Sequence, residues 1–379
     1  VYDIIESGIC PVLFFVWCIR RDRLKNLKLA AVCLSCLTMT GCSALNFSVE
    51  GLINAPKLTS EQSEIHQALI ESVGSNITLK YPKNGEYRSA YVIVNIDDEP
   101  TDEAMVFYEY TSNGSEEDGL RVNILDKDED GKWYSVKELA GAGTDIDQVI
   151  ISPMGSNNQT DVFVGYQNLT NDEKTMEIYS YTDGDFKRVA LDTYSVLEPL
   201  DINNDGYIEL ITIQRSTNND TGAVTAKASM LNMKNNEITR GENVDMCDNV
   251  TSYVSSKTGM LDSGRRAIFI DGLTADGKLQ TEIIYYRYSG LQNPMQLRSE
   301  KLLPLCTRPA GYYSEDMDGD GDVEIPSTSP MVGYENAVAD EMLYMTTWSV
   351  YEDFYDLKTK YTGYYAISDG YFVTFPKRW

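Results

Sequence analysis

Downstream of about Tyr87 the chain alternates between short apolar runs and clusters of Gly, Asp, Asn and Ser. Tyr91-Val92-Ile93-Val94, Ala104-Met105-Val106-Phe107-Tyr108, Leu120 to Leu125 and Lys132 to Val136 are the first such runs. Short runs rich in β-branched and aromatic residues, bounded by turn formers, read as strands. Asp126 to Gly131 joins the last two, and Asp130-Gly131 directly before Lys132-Trp133 is a hairpin signal. Its acids alternate at 126, 128 and 130, but Tyr134 stands where a closing acid would be, so it reads as a plain turn. The grammar returns at Asp161–Tyr166, Met176–Tyr181, Phe186–Ala190, Ala267–Asp271, Glu282–Arg287, Met342–Trp348 and Gly363–Ile367. No helical period intervenes, so the pattern predicts an all-β fold. A helical period occurs once, upstream. Ile65, Leu69, Ile70 and Val73 recur on one face between Thr59, in capping-box spacing with Gln62, and the stop at Gly74. That predicts one short helix on the rim of the β region, with His66 at its solvent edge.

A second pattern is laid over the first. Asp201-Ile202-Asn203-Asn204-Asp205-Gly206-Tyr207-Ile208-Glu209-Leu210 carries acids or an amide at alternate positions, then Gly, then an acid leading into a strand. Asp316-Met317-Asp318-Gly319-Asp320-Gly321-Asp322-Val323-Glu324-Ile325 is a near copy. Asn95 to Ala104 has Pro100 in place of the Gly, Pro153 to Val162 is worn, and Thr258 to Ala267 keeps little but the following strand. The copies start at 95, 153, 201, 258 and 316, a spacing of roughly 48–58 residues, as in propeller blades with long loops. One repeat of about four strands cannot bury both its faces, so repeats must stack. The expectation is a β-propeller of about six or seven blades over residues 87–379, against a competing pair of β-sandwiches. A chain that ends at Lys377-Arg378-Trp379, just after a strand-like run, reads as one cut short.

The two well-kept decapeptides resemble the calcium loops of FG-GAP/VCBS repeats, which build integrin-α-like β-propellers. The resemblance covers most of residues 87–330, without the Phe-Gly and Gly-Ala-Pro marks that name the family. It implies calcium held by Asp201, Asn203, Asp205 and Glu209 with the Tyr207 carbonyl. In the second loop it implies Asp316, Asp318, Asp320 and Glu324 with the Asp322 carbonyl. Asn95, Asp97, Glu99 and Glu103 form a weaker candidate. Alternate oxygens suit a hard cation that takes roughly 6–8 ligands from a short loop. An EF-hand would need a Glu at its twelfth position and flanking helices; Thr212 and Ser327 stand there, next to strands. The competing reading is an Asx-rich turn without metal.

Charge and composition narrow the function. The net charge of −26 argues against nucleic acid or anionic lipid headgroups as partners. A single His, His66, removes most His-dependent catalysis and His-bound zinc. Basic residues between Arg20 and Lys28 precede a short apolar run from Leu29 and then Thr40-Gly41-Cys42, the pattern of a secretory signal. Met39-Thr40-Gly41-Cys42 resembles the bacterial lipobox, which implies lipidation of Cys42. With no Met before Met39, an over-extended start explains the second apolar run at Ile9 to Ile19. Residues 1–41 are thus an address, 42–86 a lipidated tether with the short helix, and 87–379 the propeller. Residues 1–41 carry five basic and three acidic side chains, a net of +2, so the remainder is about −28 against −26.

Cys247 and Cys306 read as buried thiols unless they meet in space. No Gly-x-Ser-x-Gly elbow, P-loop or Cys/His pair is present, and aromatics such as Trp133, Tyr134, Tyr312, Tyr313, Trp348 and Tyr351 read as core or strand-pair residues. The sequence points to a non-catalytic, lipid-anchored binding or scaffold protein on the outer face of the membrane. Its propeller repeats would be stabilised by calcium and its ligand a protein or glycan. A propeller enzyme acting on extracellular glycans is the alternative.

Overall fold

Apolar residues at successive positions of one strand point to opposite faces of its sheet, and in four of the sheets here one inner strand is apolar on both. That requires a partner on each side, and the architecture results from it. The structure is a computed structural model describing residues 58–376, except 98, 112–118, 155–159, 169–172, 183–184, 219, 235–236, 339–340 and 353–355. Cys42 and the signal segment, and Lys377 to Trp379, lie outside the described residues.

The chain forms five antiparallel sheets in sequence order. In sheet 1, β1 (Ile77–Leu79) and β2 (Tyr91–Val94) pair with opposite ends of β3 (Glu103–Tyr110), followed by β4 (Leu120–Lys127) and β5 (Trp133–Ala140). Sheet 2 is β6 (Asp145–Ser152), β7 (Asp161–Gln167), β8 (Lys174–Thr182) and β9 (Asp185–Tyr194). Sheet 3 is β10 (Val196–Leu200), β11 (Glu209–Thr217), β12 (Val224–Lys234) and β13 (Glu237–Asp245). Sheet 4 is β14 (Val250–Met260), β15 (Arg266–Thr274), β16 (Lys278–Arg287) and β17 (Gly290–Gln292), with β18 (Thr307–Pro309) also on β16. Sheet 5 is β19 (Ile325–Pro330), β20 (Tyr344–Glu352), β21 (Asp356–Ala366) and β22 (Tyr371–Thr374).

Each motif copy leads directly into a strand, β3, β7, β11, β15 or β19, and the first four of these are apolar on both faces. In sheet 5 the strand before the motif shrinks to a bridge between Glu315 and Glu324. Five copies thus correspond to five sheets among the described residues, where repeat length predicted six or seven blades. The strands reach 11 residues in β12, β14 and β21, so each sheet uses the full spacing between copies.

The sheets pack face to face through shared cores. Phe107 and Val122 of sheet 1 meet Val162, Val164 and Tyr166 of sheet 2. On the other face of β7, Phe163 joins Leu197, Leu210 and Leu231 of sheet 3. Ile211 and Ile213, on the opposite side of β11, pack on Ile268 and Ile270 of β15, whose Ala267 and Phe269 face Val323 and Ile325. The free face of sheet 1 is covered by α1 (Ser60–Val73), whose Ile65, Ala68 and Leu69 pack on Ala104, Val106, Tyr108 and Trp133. This is the predicted helix. His66 is half-buried at its edge, its Nδ1 2.8 Å from the hydroxyl of Tyr91.

Two further short helices were not expected. Asn293 accepts from the Met295 N–H at 3.0 Å and Pro294 opens α2 (Pro294–Leu297), which leads into α3 (Ser299–Cys306). Met295, Leu302 and Cys306 insert into the core between sheets 4 and 5. A fully buried ion pair anchors the segment after α3: Arg308 Nη2 lies 2.8 Å from Asp271, which also accepts from the Ser314 N–H at 2.7 Å. Cys247 and Cys306 are free and buried, and burial pushes the Cys306 thiol up to about 12.

Candidate functional site: acidic turn loops and a central cavity

The motif loops share one brace. The carboxylate at the ninth position accepts a hydrogen bond from the backbone N–H of the second: Glu103 from Ile96 at 2.7 Å, Asp161 from Met154 at 3.3 Å, Glu209 from Ile202 at 3.1 Å and Glu324 from Met317 at 2.8 Å. This acid is buried in all four loops. Burial pushes Glu103 and Glu209 each up to about 7 and raises Asp161 and Glu324. The first position ties down the turn. Asp201 accepts from the Asp205 and Gly206 N–H groups at 3.0 and 3.2 Å, and Asp316 from Gly319 and Gly321 at 2.7 and 2.9 Å. Gly206 and Gly321 have φ of 94° and 93°, the left-handed region that glycine enters at least cost.

The remaining predicted ligands differ between loops. In the 316 loop, Asp316, Asp318 and Glu324 bring carboxylate oxygens within 4.8 Å of one another. Lys360 of β21 enters this group, its Nζ at 3.2 Å from Asp318, 2.6 Å from Asp320 and 2.7 Å from Glu324. The Asp322 N–H donates to Asp320 at 3.0 Å, and burial raises the Asp322 carboxyl. In the 201 loop, Asn203 Nδ2 bridges Asp205 and Glu209 at 2.9 and 2.7 Å, and Tyr207 is exposed. Arg266 Nη1 reaches Asp201 from sheet 4, 3.0 Å from Oδ2 and 2.9 Å from its carbonyl. Arg266 stands at the ninth position of the Thr258 copy, so that copy aims a cation at its neighbour where the other four carry an acid. In the 95 loop, Asn95 donates to the carbonyls of Glu99 and Thr101, and Asp97 accepts from the Glu99 N–H at 3.0 Å. The other Glu103 oxygen, Oε1, is buried with no partner among the described residues.

A second site was not read from the sequence. The first strands of sheets 2, 3 and 4 (β6, β10 and β14) converge with residues 84–87 on a cavity of about 650 Å³. Side chains bind these strands together: Gln148 Nε2 donates to the Leu197 carbonyl at 3.0 Å, and Ser256 Oγ donates to Glu198. Asp147 is buried at the cavity wall with both oxygens occupied. Oδ1 takes Asn84 at 2.8 Å and Gln167 at 3.2 Å; Oδ2 takes Tyr194 at 2.7 Å and Lys174 at 3.0 Å. Gly165 makes room for this arrangement, since a Cβ there would lie 2.0 Å from the Tyr194 hydroxyl. Burial opposes the Asp147 charge, but Lys174, Tyr194 and Asn84 outweigh it and hold the carboxyl below its usual range. Glu198 goes the other way: burial raises it against the opposing pull of Ser256 and Lys174. The available signal was the polar residue in the strand just upstream of each motif copy, where Asp147, Glu198 and Ser256 stand. Of the aromatics, Trp133, Tyr312, Trp348 and Tyr351 are buried, whereas Tyr134 and Tyr313 are exposed.

No family model matches the chain, and no curated protein matches it. Among solved structures it is similar to a rhamnogalacturonan lyase, at 9% identity over 78% of this chain and 69% of that one, with a TM-score of 0.34. It is similar to the levansucrase of Bacillus subtilis at 7% identity over 81% and 90%, with a TM-score of 0.31. It is also similar to the periplasmic gluconolactonase of Pseudomonas aeruginosa at 9% identity over 75% and 88%, with a TM-score of 0.27. Likeness at this level carries no argument about chemistry.

The raised Glu198 carboxyl sets a pH dependence. It binds its proton more tightly folded than unfolded, so its stabilising contribution is complete below the unfolded value of about 4.3 and is lost as pH rises through the folded value. Glu198→Gln is expected to melt above wild type at pH 7.5, with the gap closing toward pH 4. A variant that melts lower at pH 7.5 would show that the ionised carboxylate stabilises the fold.

Proposed function

We propose that this protein is an extracytoplasmic binding protein whose five sheets are blades of a propeller-like array and whose ligand occupies the central cavity. One observation carries the reading: equivalent strands of three successive sheets line a single cavity, well within the size range of small-molecule sites. Among the described residues each of these strands lies at an edge of its sheet. The enzymatic alternative needs two carboxyl groups free to act on a glycosidic bond. Asp147 has both oxygens occupied, which leaves Glu198 with only the exposed Glu86 as a second acid at the cavity and favours binding over hydrolysis. Ser255→Trp, which places an indole at the lining, is expected to abolish ligand-induced rises in melting temperature across a metabolite and oligosaccharide library. Rises that persist in the variant would move the ligand site elsewhere.

We further propose calcium in the motif loops, as the resemblance to FG-GAP/VCBS repeats implies. Asp201, Asn203, Asp205 and Glu209 with the Tyr207 carbonyl would hold one ion. Asp316, Asp318, Asp320 and Glu324 with the Asp322 carbonyl would hold another. Asn95, Asp97, Glu99 and Glu103 are a third set. Two features support the fit: the 316 carboxylates already gather round a cationic Lys360 Nζ, and Glu103 leaves a buried oxygen unpaired. The ion would neutralise clustered acids and fix each turn. Chelation is then expected to lower the melting temperature by a few degrees. Lys360→Met should fall further in chelator and recover in millimolar calcium. Melting curves of both proteins that ignore calcium and chelator alike would sink the idea.

Lipid anchoring through Cys42, on the outer face of the membrane, completes the proposal and rests on the lipobox resemblance. Labelled palmitate should be incorporated in a lipoprotein-processing host and lost in Cys42→Ala. Equal labelling of the two would refute it.

A further inference from the structure

The wall of the central cavity leaves little for an ionic ligand. Lys174, the basic residue in its lining, is paired with Asp147 at 2.9 Å, and Asp147 is filled by four donors. An anionic ligand would therefore meet Glu198 and Glu86 with no unpaired cation beside them, on a chain of net charge −26. A cationic ligand would find Glu198 and the exposed Glu86, but would share Glu198 with the ammonium of Lys174, which already acts on it.

What the wall does offer is neutral hydrogen bonding. Among the described residues Glu198 has one hydrogen-bonded partner, Ser256, leaving acceptor capacity on a carboxylate that takes about four lone-pair contacts. One N–H of the Gln148 amide donates to the Leu197 carbonyl, which leaves its second N–H and its carbonyl oxygen for a ligand. Edge backbone of β10, and the stretches of β6 and β14 away from the Asn84–Asp147 bond and the Met260–Asp322 bridge, adds donors and acceptors, since among the described residues each of these strands pairs with one named strand. Tyr87 and Tyr253, half-buried at the lining, add flat apolar faces. A ligand that matches this set needs hydroxyls, each both donor and acceptor, on a body with apolar faces. A sugar ring has that chemistry.

We propose that the central cavity binds an uncharged saccharide, with Glu198 receiving its hydroxyls and Ser256 acting as the positioning residue for Glu198. This rests on the reading of the cavity as the ligand site. The test is calorimetric titration of the calcium-loaded protein with maltotriose, cellotriose and N,N′-diacetylchitobiose as neutral probes. Digalacturonate serves as the anionic probe and the glucosamine dimer as the cationic one. At least one neutral probe is expected to bind. Glu198→Ala should weaken it at least tenfold, about 1.4 kcal/mol, and Ser256→Ala by a smaller factor. Glu198→Gln, which keeps an acceptor oxygen in place, should stay within a few-fold of wild type and keeps the test sound if the Ala variant folds poorly.

Neutral probes that fail to bind, or that bind Glu198→Ala and wild type equally, overturn the proposal. If only a charged probe binds and Ser255→Trp removes it, the saccharide class falls and the cavity reading survives. If every probe that binds is indifferent to Ser255→Trp, both fall. Cleavage of a bound probe, read by product chromatography, would replace binding with catalysis.

Discussion

Everything in this fold depends on a strand that cannot have a wet side. β3, β7, β11, β15 and β19 begin where the motif loops end, and the first four alternate their apolar residues between two separate cores. A single four-stranded sheet would leave one of those faces in water. At roughly 25 cal/mol per Å² of apolar surface, the penalty is what holds neighbouring sheets together. The motif loops are the turns into these strands, so their acids sit at the rims of the cores they introduce. The first strands, one step further in, are left to line the cavity.

The acidic loops manage their charge with what the chain itself provides. The ninth-position carboxylate is buried yet braced by a backbone N–H, which is why it can lie at the edge of a core. Beyond that brace the copies have diverged. The 316 loop borrows the ammonium of Lys360 from β21, and the 201 loop borrows the guanidinium of Arg266 from the next sheet. The Thr258 copy, which looks degenerate as a string of letters, supplies the cation that the Asp201 carboxylate meets. Loop acids and basic side chains from other strands form one electrostatic unit.

Much of the β architecture was legible. Alternating apolar runs and turn residues placed many of the strands, the helical period of Ile65 and Leu69 placed α1, and each decapeptide copy falls at the start of a strand in one of the five described sheets. The number of sheets was not legible, because it depends on how many residues a sheet consumes, and strands as long as β12 and β14 leave no periodic mark of their own. The α2–α3 pair was missed because Pro294 to Cys306 is too short to show a helical period. The loop residues were found by their local spacing. Lys360 and Arg266 were not, since a basic residue opposite a loop is set by packing across the fold, more than 35 positions away in both cases. Asp147 and Glu198 were hidden for a related reason: each is an ordinary polar residue in its own strand, and meaning arises only when three strands are brought together.

The two ends of the row of sheets are unlike. Sheets 2, 3 and 4 each have a sheet-to-sheet core on both faces. Sheet 1 has one such core and a helix, and the outer face of sheet 5 carries Trp348 against Tyr365 and Phe372. Where cohesion runs from neighbour to neighbour, a sheet held on both faces by other sheets opens last. The cavity is walled mainly by sheets 2, 3 and 4, so its wall is drawn from the best-held part of the described structure.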